Sequence, residues 1–568
     1  MLGLGPLNSY PMNTLPLMQG AAVVVPDSQT WRLRVLIGGV DVSDRLTGRA
    51  SVEAEEDAAR LCSLNLLPEP GVIELDQWTG KPLQFWRQRL EGETVASEAL
   101  WFSGWAQKPV LNINTQVLAL VATCERQRRL ADMTLEQVRE LVGGDYAVGV
   151  FGEPDDAQRY AADLLSTRPY SLDCGPDGAF RLTAWAAKAV PDYMLTADEV
   201  VDGSLGLELV TADQLINQIQ LTVEYRYQRL RHREYSFNWT HPGVNFCGWL
   251  AMDTELPTLS MLQSALDQAN WSQLSLQYEA LPPTGPNPCG GGGVWINRWS
   301  DPHLLSFSAR VGARSSQSLT ESYPITLSAS GSIAAYGLRT QAERYSDDIE
   351  FDGRDWENQS GGRPAGSVPD ELGDWVIDKD DVERRGDLLR TAMAVEVTRM
   401  LSQHRLNRVR LQMPVGDQVF DLVHTVHVRA LGIQAQGKAA RVVATWDHDA
   451  GSELVDLELA ISRAGASVEP TPLVPPARPV FDFGPPPPGS AALTTQLGGR
   501  PESPPFDEEQ DGFAGNYRWL FPGAETYPRR LQITTPDIPA AHRDPVTGER
   551  AANYTVAIPN DLLKMEVL

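Results

Sequence analysis

The chain has 568 residues, 42% hydrophobic and 21% charged, so it is long enough for several buried cores and is neither disordered nor fibrous. Its 48 basic against 74 acidic residues leave a formal charge of −26, which excludes a surface built to grip a nucleic-acid backbone but permits a wall past which a duplex slides. Forty-seven glycines and 41 prolines imply many turns and a mainly β architecture with α+β insertions.

Residues 1–30 read as an extended arm. It carries no charge before Asp27, and Pro6, Pro11 and Pro16 forbid a helix. It lacks the basic start of a signal peptide, and an apolar arm of this kind is expected to lie on a neighbouring subunit or ring. No segment of the chain has the roughly 18 uninterrupted apolar residues of a membrane span.

Residues 31–125 follow a period of two, the signature of strands with one buried face. Trp31, Leu33, Val35 and Ile37 alternate with Arg32, Arg34 and Leu36, and Ala50, Val52 and Ala54 alternate with Ser51, Glu53 and Glu55. VDVSDRLTG (Val40 to Gly48) suits a turn. EEDAARLCSLNLLPEPG (Glu55 to Gly71), WTGKPLQFW (Trp78 to Trp86), LWFSGWAQKP (Leu100 to Pro109) and QVLALVATC (Gln116 to Cys124) complete the segment.

Residues 126–215 turn helical and mixed. Thr134 with Gln137 forms a capping box, Pro154, Asp155 and Asp156 open a second helix through Leu165, and Phe180, Leu182 and Ala184 return to strand. Residues 216–380 read as an α+β middle. Gln218 to Trp239 is expected to form a long strand pair with Ile219, Leu221, Val223, Tyr225 and Tyr227 on one face. The basic run YRYQRLRHREY (Tyr225 to Tyr235) is read as a structural strand with solvated arginines, or as an interface with an acidic partner. Thr258 caps a short helix of Leu259, Leu262 and Leu266, Pro282 to Gly293 is a flexible loop, and alternation runs from Leu304 to Ala335. Tyr345 to Asp381 is acidic and loop-like.

Residues 381–464 begin with a helix, Val382 to His404, whose Leu389, Met393, Val397 and Leu401 form one stripe. A strand, a Pro-x-Gly-Asp turn (Pro414 to Asp417), a second strand, KAARVVATWDHD (Lys438 to Asp449) and LVDLELAIS (Leu454 to Ser462) follow. Residues 465–490 form a stiff proline-rich linker. Residues 491–568 are a C-terminal extension with aromatic Tyr517, Trp519, Phe521 and Tyr527 and a final strand at Tyr554 to Ile558.

The DVSD turn, EEDAA stretch, GKP turn and F-S-G strand, in that order, resemble the first barrel of the phage tail hub (baseplate hub, late-control D-like) family, which is related to the hub part of type VI secretion spike proteins. The Pro-x-Gly-Asp turn and V-D-L-E-L strand resemble its last barrel, although this chain has Pro-Val-Gly-Asp where the family has Pro-Gly-Asp. The resemblance covers about 31–125 and 382–463 by motif and the middle only by order. It implies two small tail-hub β-barrels bracketing a mixed middle. Three chains would then present six quasi-equivalent lobes, adapting a sixfold tube to a threefold tip. The implied function is that of a structural virion protein, not an enzyme. It would be a homotrimeric hub at the distal tail tip that connects the tube or distal ring to the tip fibre and forms part of the DNA channel. Implied partners are the distal tail ring protein, the tape-measure protein C-terminus and tail fibre or tip proteins, with genomic DNA passing without specific binding. Assembly would take place in the bacterial cytoplasm and the final location would be the virion. Two alternatives remain: another tail-tip component (a distal ring protein or central fibre base), told apart by sixfold assembly, and a carbohydrate-binding or hydrolysing protein, told apart by paired cleft carboxylates.

No catalytic, cofactor or metal residues are assigned. His424 and His427 are three apart on a strand and point to opposite faces. Asp447, His448 and Asp449 lack a nucleophile motif. Asp347, Asp348, Glu350, Asp352 and Asp355 lack EF-hand spacing. Most of the 15 tryptophans fit core positions better than sugar stacking. Glu53, Glu55, Glu56 and Asp57 are read as a solvated strand end, and as the acids that could face an acidic lumen. The five cysteines, Cys62, Cys124, Cys174, Cys247 and Cys289, are odd in number and contain no CxxC pair. They are read as reduced, mostly buried residues, with neither a zinc site nor a disulfide framework, which fits a reducing cytosol.

Overall fold

In the computed structural model of the chain, the alternation around Trp31 and Ala50 becomes β1 (Thr30–Ile37) and β2 (Arg49–Glu55), followed by β3 (Leu61–Leu66), β4 (Pro82–Glu91), β5 (Thr94–Ala106) and β6 (Val117–Thr123). The structure describes residues 30–71, 76, 78–211, 214–241, 243–252, 256–268, 271–358, 362–416, 419–483, 495–497, 512–515, 531–534 and 538–566. The arm before Thr30, Asp417 of the Pro414 turn and the aromatic cluster Tyr517 to Tyr527 lie outside these residues. Leu33, Val35, Val52, Leu64, Phe85 and Leu118 fill the buried face that the pattern marks. The F-S-G motif has a steric reason. A Cβ on Gly104 would stand 2.5 Å from the Thr123 carbonyl oxygen and 2.5 Å from the Phe102 ring, so only glycine lets β5 meet the end of β6.

The insertion behaves as its caps predict. It contains α1 (Arg126–Ala131), α2 (Leu135–Val142) and α3 (Ala157–Ser166), with the reciprocal Thr134–Gln137 box in place and Asp156 accepting from the Arg159 amide at 2.8 Å. The hairpin β7 (Tyr170–Cys174) and β8 (Phe180–Ala184) closes its small core of Leu130, Val138, Tyr160, Leu164 and Leu172.

The middle departs from expectation. Gln218 to Trp239 is not a strand pair but one continuous strand, β9 (Gln218–Thr240). Its partner β10 (Leu304–Ser328), which begins past α4 (Leu259–Gln268), matches it antiparallel along all 23 residues. At about 3.3 Å per residue the ribbon is about 75 Å long. The basic run on it is solvated only in part: Arg226 is exposed, but the later arginines are not. Arg231 and Arg233 are buried, and their guanidiniums meet Asp370 and Asp374 at 2.5 Å. The acidic partner is the chain itself. The stretch read as loop, Tyr345 to Asp381, supplies the end of β11 (Thr340–Asp348), a short helix at Gly353–Asn358 and β12 (Trp375–Lys379), because several of its acids, among them Asp347, Asp370, Asp374 and Asp378, pair with arginines and its backbone pairs with β9 on both of those strands.

The reading of all five cysteines as reduced is corrected as well. Cys247 and Cys289 form a disulfide across 42 residues, tying the helix at Phe246–Met252 to the glycine loop read as flexible. Around it Phe246, Trp249 and Trp295 build a separate small core at the outer end of the ribbon.

Helix α5 (Val382–His404) lays Leu388, Leu389, Ala392 and Met393 on the inner half of that sheet. It leads into β13 (Asn407–Pro414), β14 (Thr425–Ala430), β15 (Ile433–Asp447) and β16 (Ser452–Ile461). These strands join the first segment in one sheet, in the order β13–β16–β15–β2–β3–β6–β5–β4–β1. The proline-rich segment, read as a linker, lies along the middle sheet up to Phe483. Arg478 reaches Glu321 at 2.7 Å and the Tyr227 hydroxyl at 2.9 Å, and Phe481 and Phe483 pack on the core. The end of the chain supplies β17 (Val546–Glu549) and β18 (Ala552–Thr555), both parallel to β10, and β19 (Leu563–Met565), antiparallel to β15.

Candidate functional site: the seam between the N- and C-terminal strands

The two segments that carry the family motifs meet edge to edge. Arg441 to Asp447 of β15 pairs antiparallel with Glu55 to Arg49 of β2, so Val442 faces Ala54 and Ala444 faces Val52. Both strands bury one face into a single core to which both ends of the chain contribute. Trp446 stands 5.1 Å edge-on to Trp101 and 5.0 Å from Phe85. On the other face Arg441 donates to Glu53 at 2.8 Å.

The end of the seam is a polar junction of three parts of the chain. Glu56 accepts both guanidinium nitrogens of Arg405 at 2.6 Å and the Lys438 ammonium at 3.1 Å. Burial alone would raise the Glu56 carboxyl, but Arg405 and Lys438 outweigh it and hold the group below its ordinary value. Burial lowers Lys438 against the pull of Glu56. Next in sequence, Asp57 adopts a left-handed φ of 57°, which turns its carboxylate onto the Leu172 amide at 2.9 Å, while its own amide donates to Asp173 at 3.1 Å. Desolvation, and then the nearby Asp173 carboxylate, push Asp57 up to about 6. Arg60, fully buried, donates to the Cys174 and Trp101 carbonyls at 3.1 Å and to the Asp421 carboxylate, which also lies 2.6 Å from Arg181.

The acidic run is therefore not a solvated strand end. Glu53 and Glu56 are paired, Asp57 caps the insertion, and only Glu55 stays largely free, 3.9 Å from Arg441. The partners of Asp57 come from 115 to 116 residues away and those of Glu53 and Glu56 from 349 to 388, distances at which residue pattern carries no signal.

The other residues singled out in the sequence serve the fold. His424 sits in the turn before β14, where its Nδ1 accepts the Asp421 amide at 3.0 Å, and His427 is on the strand. Asp447 accepts the amides of Asp449 and Ala450 at 3.0 Å in a hairpin turn, and His448 lies over Trp31. Asp347 is clasped by Arg384 at 2.6 and 2.7 Å. Among the described residues no cluster of three or more His, Cys, Asp or Glu could hold a metal, and no helix is long and apolar enough to cross a membrane.

No family model matches the chain and no curated protein does. Solved structures do. A tail protein from Neisseria meningitidis MC58 aligns over 76% of this chain and 96% of its own at 8% identity and a TM-score of 0.36. The 43 kDa tail protein of prophage MuSo2 from Shewanella oneidensis aligns over 76% and 98% at 11% identity and a TM-score of 0.35. A prophage tail protein from Listeria monocytogenes EGD-e aligns over 76% and 94% at 9% identity and a TM-score of 0.33.

Proposed function

We propose that the chain is a structural virion protein, a homotrimeric hub at the distal tip of a bacteriophage tail. The seam is the observation that carries this reading. The strands of the two segments whose motifs resemble the two hub barrels, 31–125 and 382–463, lie side by side in one sheet over one core, and the middle forms a separate sheet built on the β9–β10 ribbon. A platform of that form offers two lobes per chain, so three copies would close a ring of six, with the outer end of the ribbon left to meet a neighbouring ring or fibre. The large negative charge fits a channel that DNA passes without sticking. The barrel division, the distal ring, tape-measure and fibre partners, and assembly in the host cytoplasm all belong to this proposal.

The test is the copy number of the full chain, by light scattering on purified protein and by mass measurement on assembled tips. Three copies are expected. Six would favour a distal ring protein. A salt-sensitive complex with duplex DNA at physiological ionic strength would overturn the channel role.

A further inference from the structure

Two further cysteines meet where the insertion leaves the large sheet. Cys124 ends the first strand-rich segment and Cys174 ends β7. Both are buried, and their sulfurs lie 2.6 Å apart, well inside the separation at which two unbonded sulfurs rest and nearer the ~2.05 Å of a covalent bond. The backbone on each side is pinned. Arg60 donates its amide to the Cys124 sulfur at 3.3 Å and its guanidinium to the Cys174 carbonyl at 3.1 Å, and Arg129 holds the Gly178 carbonyl at 2.6 Å. The Cys174 thiol, the Arg60 amide and the cationic Arg129 lower the Cys124 thiol to about 7, despite burial, which makes it the nucleophile of the pair. Cys62 is the internal contrast. It is fully buried with no cysteine beside it, and burial pushes its thiol well up.

We propose that Cys124 and Cys174 form a second disulfide, which closes residues 124–174 into a covalent loop and staples the helical insertion to the large sheet. The oxidant is a low-molecular-weight disulfide such as oxidised glutathione. The Cys124 thiolate attacks one of its sulfurs and expels one thiolate. Cys174, losing its proton, then attacks the Cys124 sulfur of the mixed disulfide and expels the second. Two protein thiols are oxidised, one small disulfide is reduced to two thiols, and the two protons lost by the protein thiols are taken up by the two expelled thiolates. Because both sulfurs are buried, the exchange occurs before the insertion packs or during its local opening. A reductant reaches the finished bond only through the same local opening. The oxidised chain holds two disulfides and one thiol, Cys62.

The test uses the full-length protein equilibrated with oxidised glutathione, then unfolded in an alkylating reagent without reductant and mapped by peptide mass. Expected is a single alkylated cysteine, Cys62, and a non-reduced peptide linking Cys124 to Cys174. Alkylation of both Cys124 and Cys174, or a glutathione adduct on either without the link, would overturn the proposal whatever the state of Cys247 and Cys289. A second measurement separates the staple from packing alone. Native digestion within residues 125–168 should be several-fold faster in Cys174→Ala than in the oxidised wild type, and no faster than in wild type treated with a phosphine reductant. Equal rates in all three would also overturn the proposal.

Discussion

Arg441 and Glu53 stand 388 residues apart in sequence and 2.8 Å apart in space, joined by a hydrogen bond across the seam of the large sheet. This contact sets a folding problem. The first strands cannot complete their sheet until β15 has been made and has returned to them, so the most distant pairing in the chain closes the largest core. Slow folding follows from that topology.

The strength of the seam is expected to lie in its core and not in this ion pair. Arg441 and Glu53 are both partly exposed, so Glu53→Ala should cost less than about 1 kcal/mol. Trp446→Ala removes a fully buried ring packed on Trp101 and Phe85 and should cost about 3–5 kcal/mol. Denaturant titration of the two variants measures both, and equal losses would contradict the assignment.

Glu56 is different, because its partners are buried with it. Glu56→Gln strands Arg405 and Lys438 and should cost about 3–5 kcal/mol at neutral pH. Its folded-state carboxyl is lowered, so the stabilisation is complete above the ordinary value of 4.5 and is lost as the pH falls through the lower folded value. The gap between wild type and variant should therefore narrow in acid, which stability curves from pH 7 down to pH 3 would show.

Asp57 runs the other way. Its folded value is raised from 3.8 to about 6, so ionisation costs stability that is absent below 3.8 and fully felt above about 6. Asparagine keeps an acceptor for the Leu172 amide, tolerates the left-handed backbone and carries no charge beside Asp173. Asp57→Asn should stabilise the protein at pH 7, by on the order of 1 kcal/mol after allowance for exposure, and be neutral near pH 4. Thermal melts at the two pH values check this.

These two neighbours show where residue pattern stops being informative. Strands with one solvated face are legible: Leu33, Val35 and Ile37, or Ile219, Leu221 and Val223, alternate because water lies on the other side. From Leu230 to Arg233 strand β9 is covered on both faces, so the period vanishes there. Arg231 and Arg233 then look solvated, because the carboxylates that neutralise them come from 139 to 141 residues away. The caps at Thr134 and Asp156 are local, hence readable, whereas the Cys247–Cys289 bond spans 42 residues in a chain with an odd cysteine count and left no local trace. The motif segments were visible singly. That they share one sheet was not, since strand pairing is a tertiary property.

His404 ends α5 in a buried, neutral setting. Its Nδ1 donates to the Met400 carbonyl at 2.8 Å, and its Nε2 accepts from the Ser332 hydroxyl at 2.7 Å. Burial lowers its pKa, so the unfolded chain takes up a proton near 6.5 before the folded one does. Stability contributed by the neutral ring is complete above about 6.5 and falls as the pH drops below it. His404→Gln should lose stability at pH 7.5, by about 1–3 kcal/mol for the buried hydrogen bonds, and its curve between pH 7 and pH 5 should be flatter than that of wild type. Parallel slopes would mean that His404 does not titrate between the two states.

The last residues lace the two sheets together, and their removal should be felt in both. β17 and β18 cover the edge of β10 along Leu319–Ser322 and Ile325–Ser328, while β19 pairs with Ile433–Ala435 of β15. Between them Tyr554, Val556 and Ile558 are buried in the middle core, and His542 accepts from Arg233 beside Asp374. Ending the chain at Asp537 would bare a long strand edge, open that core and leave Arg233 and Asp374 without their cover. Exposed edges of this kind template association. The truncated protein should melt at a lower temperature and associate beyond the oligomer formed by the full chain. Hydrogen exchange should rise along Leu319–Ser328 and along Ile433–Ala435 together. A rise confined to one of the two stretches would mean that the C-terminal strands cover one sheet without coupling it to the other.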